Sequence, residues 1–355
     1  MQKLTVVLPC AGRSSRYPGV RPKWMLTTPD GSLALLKAFA SIGVRSAEVR
    51  VVVGIRQDHD EQYEAGRLVR SQIPEAEVIV LEKDTRGPAE TVFELISAAD
   101  VRGQIVIKDA DSFFTPPELP SGSFIALADL RKEQDITRVG AKSFVVVNES
   151  SAVCAVVEKN VCSNFISAGM YGFESAVSFK QAFIDCVMRR EMQNEIFVSH
   201  VMTQLIARGE YVEPIEVSNL IDVGTILEWR SYVAQRSSLV VDVDGVIVKN
   251  QSEFFRPYWS EQPEPIKDNV EHLLSLQAQG AQLIFMTSRP EKYRITTERM
   301  LIDLGFKIHA LIMNCNHGRR YLINDFAATN QYPSAVAINI PRNSDLLKSV
   351  LDMRG

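Results

Sequence analysis

Several features that define other protein classes are scarce or missing in this chain of 355 residues. Its five cysteines are scattered and form no CxxC pair, which predicts free thiols rather than a zinc site or a disulfide framework. No stretch approaches the roughly 18 uncharged apolar residues of a membrane-spanning helix. The first residues lead straight into a strand-like run without the hydrophobic segment of a signal peptide. We therefore expect a cytoplasmic protein.

The chain also lacks a strong charge of either sign. Its formal net charge is -4, which gives no broad attraction to nucleic acid or to an anionic membrane. None of its five histidines lies in a catalytic constellation. Small molecules are therefore the expected partners, and homo-oligomerisation remains open.

Strand-like and helix-like segments alternate from the start, which predicts a parallel α/β sheet. Strands are expected at 4–8, 48–53, 78–81 and 104–107, with helices at 33–41 and 60–72. From about residue 123 the pattern changes to strands at 124–127, 144–147 and 153–158, followed by one helical stretch over roughly 174–207. The sheet is therefore expected to be mixed and larger than a plain doubly wound sheet.

A second alternation begins with an apolar strand at 239–244. Further strands are expected at 282–286, 310–313 and 321–323. The restart predicts two domains, residues 1–234 and 238–355, joined by a short linker that is not rich in glycine or serine.

A loop of small residues directly follows the first strand. Small side chains allow backbone N–H groups to approach phosphate oxygens, and two cations, Arg16 and Lys23, follow the loop. Such cations would stabilise the charge that develops on pyrophosphate. The candidate nucleotide-binding residues of this loop are Ala11, Gly12, Ser14 and Ser15.

Six motifs in order resemble those of the sugar-phosphate nucleotidyltransferases, the pyrophosphorylases with a Rossmann-like core. They are the Ala-Gly-x-Ser-Ser-Arg loop with Pro22-Lys23, and the segments 85–91, 108–114, 157–159, 167–173 and 221–225. Together they cover about residues 4–230. The loop has a single glycine where many sugar-specific members have more, so the nucleotide base and the acceptor stay open.

This resemblance implies a Mg²⁺-dependent transfer of a nucleotide from an NTP to a phosphorylated small molecule, such as a sugar phosphate, with release of pyrophosphate. Asp111 and Asp222 would bind Mg²⁺, which prefers oxygen ligands. Arg16 and Lys23 would hold the phosphates and act catalytically. The remaining roles fall to Gly87 and Pro88 at the nucleotide and to Glu158, Lys159 and Gly169 at the acceptor.

A second pair of carboxylates follows the strand that opens the C-terminal domain. Asp242 and Asp244 would point the same way if the strand continues through both. This segment resembles the first motif of the haloacid dehalogenase (HAD) superfamily, and 285–290 and 323–326 resemble later motifs. The fold class predicted for the whole chain is therefore α/β, with a nucleotidyltransferase Rossmann-like mixed sheet and a capless HAD-like Rossmannoid domain.

The HAD resemblance implies a phosphatase whose first aspartate, Asp242, becomes an aspartyl-phosphate. Asp244 would serve as general acid and base, and Thr287 would hold the phosphoryl group. Asp325 would bind Mg²⁺ together with Asp242 and Asp244. The balancing cation is less defined: Arg320 is the first candidate, and Arg319, Lys307 and Lys292 are alternatives.

Three hypotheses remain open at this level. The first is a bifunctional enzyme that makes an activated compound and dephosphorylates a related metabolite, by analogy in surface polysaccharide precursor synthesis. The second is a nucleotide-sugar-dependent glycosyltransferase, which would not need the phosphate-gripping loop. The third is an N-terminal domain with decayed activity, leaving only the phosphatase active.

Overall fold

The computed structural model describes residues 3–133, 136–189, 195–325 and 335–352. The chain divides into two compact units, residues 1–229 and 230–355. No helix within the described residues is long and apolar enough to cross a membrane.

The first unit is built on a mixed sheet. The strands of this unit are β1 (Thr5–Pro9), β2 (Arg50–Arg56), β3 (Glu77–Leu81), β4 (Ile105–Lys108), β5 (Ser112–Phe113), β6 (Phe124–Asp129), β7 (Ser143–Val147), β8 (Val153–Glu158), β9 (Phe165–Phe173), β10 (Glu213–Glu216) and β11 (Ile221–Asp222), of which β5 and β11 form a separate two-stranded sheet. Its helices are α1 (Ala34–Ala40), α2 (Gln57–Tyr63), α3 (Ala65–Gln72), α4 (Pro88–Ala98), α5 (Ala176–Arg189) and α6 (Val198–Ala207). A further helix, α7 (Ile226–Ala234), crosses from this unit into the second.

The strands of the main sheet run in the order β10-β6-β9-β4-β1-β2-β3, and β7 and β8 extend from β9. The four strands from β4 to β3 are parallel, whereas β9 is antiparallel to both β4 and β6. The chain order reverses between β1 and β4, and in parallel sheets such a point leaves a crevice at the carboxyl ends of the strands.

Alternation along the strands creates a core on each face of the sheet. In β1, Val6 and Leu8 belong to one apolar cluster and Val7 to the other. Because both faces are covered, these strands consist almost entirely of apolar residues. The predictions of an α/β class and of a mixed first sheet are confirmed.

Two helical predictions are wrong in detail. The stretch predicted at 174–207 is divided into α5 and α6, and Phe197 between them is extended. The backbone of Ile196 is engaged elsewhere, because its N–H donates to Arg86 O and its carbonyl accepts from Ala89 N. The stretch predicted at 60–72 is interrupted by Glu64, which adopts a left-handed conformation between α2 and α3.

The second unit contains a smaller sheet of β12 (Ser238–Asp242), β13 (Gln282–Met286) and β14 (Ala310–Ile312), all parallel and in that order. Its helices are α8 (Lys267–Ala278), α9 (Arg294–Asp303) and α10 (Leu347–Asp352). The strand predicted at 321–323 is wrong: these residues are irregular and exposed. A short apolar run becomes a strand only when a neighbouring strand pairs with it, and none does so in the described part of the second unit.

Candidate functional site

The loop after β1 reaches the crevice at the carboxyl end of the sheet. Ala11 and Ser14 are half-buried, whereas Gly12 and Ser15 are exposed. A side chain at Gly12 would meet no atom within 4 Å, so the space in front of this backbone is open. Burial raises the pKa of the neighbouring Cys10 thiol to about 12, which makes that group inert at neutral pH.

Two cations of this loop region face the acidic turn after β4. Lys23 Nζ lies 2.5 Å from Asp111 Oδ2, and Arg16 Nη2 lies 3.9 Å from the same oxygen. Burial alone would raise the pKa of Asp111, but the charge and hydrogen bond of Lys23 lower it to about 2. Asp111 is therefore an ionised carboxylate at neutral pH, between two groups suited to phosphate.

The acidic turn is fixed from beneath by Lys108, which sequence reasoning did not assign a role. This fully buried ammonium donates to Asp109 O at 2.7 Å, to Ser112 O at 2.8 Å and to Ser112 Oγ at 2.7 Å. All three of its donors are therefore satisfied. Burial and the charge of Asp111 raise the pKa of Asp109 to about 6. The only sequence signal for Lys108 is a charge at the end of an otherwise apolar strand.

Gly169 on β9 closes over this turn. Its φ is +75°, and an added Cβ would lie 2.9 Å from both Asp109 Oδ2 and Ser112 Oγ. Asp109 N donates to Gly169 O at 2.8 Å. Gly169 was predicted to contact the acceptor, and in the structure its immediate contacts are with the acidic turn.

The short pair β5–β11 brings the second aspartate to the first. Ser112 pairs with Asp222, and Val223 N donates to Asp111 O at 2.9 Å. A Cβ built on Gly224 would lie 3.1 Å from Asp222 Oδ1 and 3.5 Å from Asp111 Oδ2, so both carboxylates border one small space. Burial raises the pKa of Asp222. The loop after β1 is tied to the same segment, because the Tyr17 hydroxyl donates to Val223 O.

This pair of oxygen donors fits Mg²⁺, which commonly uses one or two carboxylates and completes its shell with substrate phosphates and water. Across the described residues, no group of three or more His, Cys, Asp or Glu side chains is arranged to hold a metal ion.

The candidate nucleotide segment begins α4. Gly87 has φ +131°, and a Cβ there would lie 2.7 Å from Ile196 O, so the two backbones are in close contact. Pro88 occupies the first turn of the helix, where its missing N–H costs nothing. Asp84, just before this segment, accepts hydrogen bonds from Arg13 and Arg56, and the bond from Arg13 links the segment to the loop after β1.

The predicted acceptor pair lies at the end of β8. Glu158 Oε1 accepts hydrogen bonds from Ser143 Oγ, at 2.6 Å, and from Ser199 Oγ. The Lys159 ammonium lies 4.9 Å from the centre of the Phe197 ring, a cation–π arrangement. Ser199 and Phe197 lie at the start of α6, whereas Ser143 is the first residue of β7.

Sequence reasoning also missed Lys142 and Glu228. Lys142 donates to Asp222 Oδ2, and its Nζ lies 3.8 Å from Glu228 Oε1. No local motif marks either residue, because they lie on separate segments and meet only through the fold.

A second cluster of charged and polar side chains lies at the carboxyl end of β12 in the second unit. Arg320 Nη1 lies 2.8 Å from Asp242 Oδ2. Asp244 is held by Arg289, whose Nη2 lies 2.8 Å from Oδ1 and whose Nε lies 3.0 Å from Oδ2, and by Thr287 Oγ1 at 3.1 Å. The arginine fork fixes the orientation of this carboxylate. Arg289 belongs to the motif that supplied Thr287 but was not assigned a role.

Asp325 was predicted to join Asp242 and Asp244 around a metal ion. In the structure it follows the irregular segment 321–323, not a strand, and it is exposed. Phe326, the last residue of that motif, lies outside the described residues. The contacts that define the cluster instead come from Arg320, Arg289 and Thr287.

Scans against protein-family models and against curated proteins find no match for this chain. Solved structures do share its fold. The nucleoside-diphosphate-sugar pyrophosphorylase from Vibrio cholerae RC9 is 22% identical, with a TM-score of 0.55 over 64% of this chain and 99% of that chain. The inositol-1-phosphate CTP transferase from T. maritima is 16% identical, with a TM-score of 0.52 over 64% of this chain and 91% of that chain.

A glucose-1-phosphate thymidylyltransferase from Bacillus anthracis, described as putative in its name, is 13% identical, with a TM-score of 0.50 over 65% of this chain and 93% of that chain. The matched share corresponds to the length of the first unit. About two thirds of this chain therefore has the fold of the nucleotidyltransferases that act as pyrophosphorylases.

Proposed function

We propose that the first unit is a divalent-metal-dependent nucleotidyltransferase that joins an NTP to a phosphorylated small molecule and releases pyrophosphate. The observation that carries the proposal is the convergence of Lys23 and Arg16 on Asp111, with Asp222 bordering the same small space beside Gly224. The fold shared with pyrophosphorylases supports the same chemistry.

In the proposed reaction, an oxygen of the acceptor's phosphate attacks the α-phosphorus of the NTP. The bond between the α-phosphorus and the bridging oxygen breaks, and pyrophosphate leaves with that electron pair. Lys23 and Arg16 would hold the phosphates and stabilise the developing charge. Asp111 and Asp222 would hold Mg²⁺, which would supply further charge neutralisation when bound.

The acceptor side of this proposal rests on Glu158 and Lys159. A carboxylate that is oriented by two serine hydroxyls can accept hydrogen bonds from hydroxyl groups, and a lysine can bind a phosphate. The neighbours' names include acceptors of both the sugar and the inositol phosphate type. We infer a phosphorylated polyol or sugar as the acceptor class, with a use in surface polysaccharide precursors as the proposed context.

The direct test crosses the four common NTPs with a panel of sugar 1-phosphates and inositol phosphates and measures pyrophosphate release in the presence of Mg²⁺. Release that requires one NTP together with one acceptor supports the proposal and names both substrates. Exchange of labelled pyrophosphate into NTP in the presence of that acceptor then separates this activity from a glycosyltransferase, which has no step that could incorporate the label.

For residues 238–355 we propose a HAD-like phosphatase domain, next to a nucleotidyltransferase domain over 1–234. The observation that favours it is the position of Asp242 at the carboxyl end of β12, paired with Arg320, while Thr287 and Arg289 lie at the adjacent aspartate. Asp242 would attack a phosphate monoester, form an aspartyl-phosphate and expel an alcohol, and water would then release phosphate.

Replacing Asp242 by asparagine removes the proposed nucleophile. We expect phosphate release from p-nitrophenyl phosphate to fall on the order of 10³-fold or more. Asp303→Asn is the matched control, since Asp303 is an exposed carboxylate at the end of α9 in the same unit. Equal activity in the two variants would exclude Asp242 as the nucleophile.

A further inference from the structure

Lys142 lies between two carboxylates of the first unit. It pairs with Asp222, and its Nζ is 3.8 Å from Glu228 Oε1. The three side chains are 16%, 18% and 8% exposed, so bulk water screens their charges only in part. A lysine with two acidic neighbours can move its ammonium from one to the other by rotating its side chain.

Glu228 has an unused hydrogen-bonding position. Oε1 accepts from Thr137 Oγ1 at 3.2 Å, but in the part of the chain that the structure describes no donor reaches the buried Oε2. A buried carboxylate oxygen without a donor is unfavourable, because it has lost water and gained no partner. The carboxylate is therefore only partly compensated in this arrangement and can accept another donor.

Lys142 also connects the cation site to the acceptor side. Its carbonyl accepts from Lys159 N at 3.0 Å, and the next residue, Ser143, pairs with Glu158 across β7 and β8. At the other end, Asp222 borders the same small space as Asp111. A movement of the ammonium would therefore take place between the two halves of the proposed site.

We propose that Lys142 is a positioning residue that neutralises Asp222 before a divalent cation binds and is transferred to Glu228 when the cation takes its place. This rests on the proposed function, since it assumes that Asp222 holds the cation. An ammonium and a divalent ion repel each other strongly if they share one carboxylate at low exposure. Glu228 provides the alternative partner that keeps the displaced lysine paired.

The transfer predicts opposite effects for the two partners of the lysine. Binding of Mn²⁺ alone to the full chain would be measured by electron paramagnetic resonance. Lys142→Met removes the competing charge, so we expect Mn²⁺ to bind about tenfold more tightly. Glu228→Gln removes the receiving charge and keeps the lysine at Asp222, so we expect binding to weaken by about threefold to tenfold.

The double variant distinguishes transfer from direct coordination. Without Lys142 there is no ammonium for Glu228 to pair with. The double variant Lys142→Met/Glu228→Gln should therefore have the same Mn²⁺ affinity as Lys142→Met alone. The matched controls are Lys132→Met and Glu216→Gln, which break an exposed ion pair of 2.5 Å elsewhere in the unit and should leave Mn²⁺ binding unchanged.

Several outcomes would overturn the transfer. Weaker or unchanged binding in Lys142→Met does so, as does a Glu228→Gln effect that persists in the double variant. If Lys142→Met does not fold, unchanged binding in Glu228→Gln decides against the proposal. The proposed function stands in all these cases if the wild-type protein exchanges pyrophosphate and the Asp222→Asn variant loses Mn²⁺ binding. If the wild-type protein neither exchanges pyrophosphate nor binds Mn²⁺, both the proposed function and the transfer of Lys142 are overturned.

Discussion

Replacing Lys23 by alanine is expected to lower the rate of pyrophosphate exchange by about 10²–10³-fold. Lys23 Nζ lies 2.5 Å from Asp111 Oδ2 and is 25% exposed, so its charge acts in a partly dehydrated site. There it would act on charge that develops in the transition state, and the loss should appear mainly in kcat rather than in KM. Exchange of labelled pyrophosphate at saturating NTP and acceptor would measure it.

Lys37→Ala provides the matched control for this substitution. Lys37 also forms a 2.5 Å ion pair with an aspartate, Asp30, but that pair is outside the proposed site. We expect full activity in this variant and, in both, a cooperative melting transition that shows a folded protein. If Lys23→Ala were as active as Lys37→Ala, the catalytic role proposed for Lys23 would be wrong.

The parts of the first unit that sequence could predict are those encoded locally. β1 to β4 follow from short apolar runs separated by helical spacing, and the loop with Gly12 and Ser14 follows from its position after a buried strand. Asp111 and Asp222 were found because each lies in a short motif that resembles one of the nucleotidyltransferase family. Their roles as metal ligands stay predictions, whereas their common border with the space beside Gly224 is a structural finding.

The parts that sequence did not predict depend on contacts between distant segments. Lys142 and Glu228 are 86 positions apart, and their meeting with Asp222 is set by tertiary packing rather than by any periodicity. The break between α5 and α6 has a similar origin, because the backbone of Ile196 in this break forms hydrogen bonds with residues at the start of α4. Helical propensity is a weak preference that such contacts override.

In the second unit, the sequence pattern predicted a strand that does not form. The run 321–323 has the apolar character of a strand, yet Ile323 is 92% exposed. Periodicity identifies what a segment could become, but pairing decides whether a strand forms. Arg320, just before that run, nevertheless lies beside Asp242, although the strand predicted after it does not form.

Substituting alanine at Gly169 is expected to destabilise the protein by about 3 kcal/mol and to abolish most of the pyrophosphate exchange. The backbone φ of +75° is unfavourable for alanine, at a cost of about 1–2 kcal/mol. The added methyl group would also lie 2.9 Å from Asp109 Oδ2 and from Ser112 Oγ. Relieving that clash moves the acidic turn, at a further cost of about 1–3 kcal/mol.

Gly209 separates the two contributions, because its φ is +81° but a Cβ there would meet no atom within 4 Å. Gly209→Ala should therefore carry only the backbone cost, so that the two variants differ by about 2 kcal/mol, or about 4–8 °C in melting temperature for a unit of this size. Scanning calorimetry of the full chain would measure the difference. Because Gly169 O also accepts the hydrogen bond of Asp109 N, only Gly169→Ala should displace the turn that carries Asp111 and lose exchange activity. Equal melting temperatures and equal activities would show that the turn accommodates the methyl group, and the close contact at Gly169 would then not be what holds Asp111 in position.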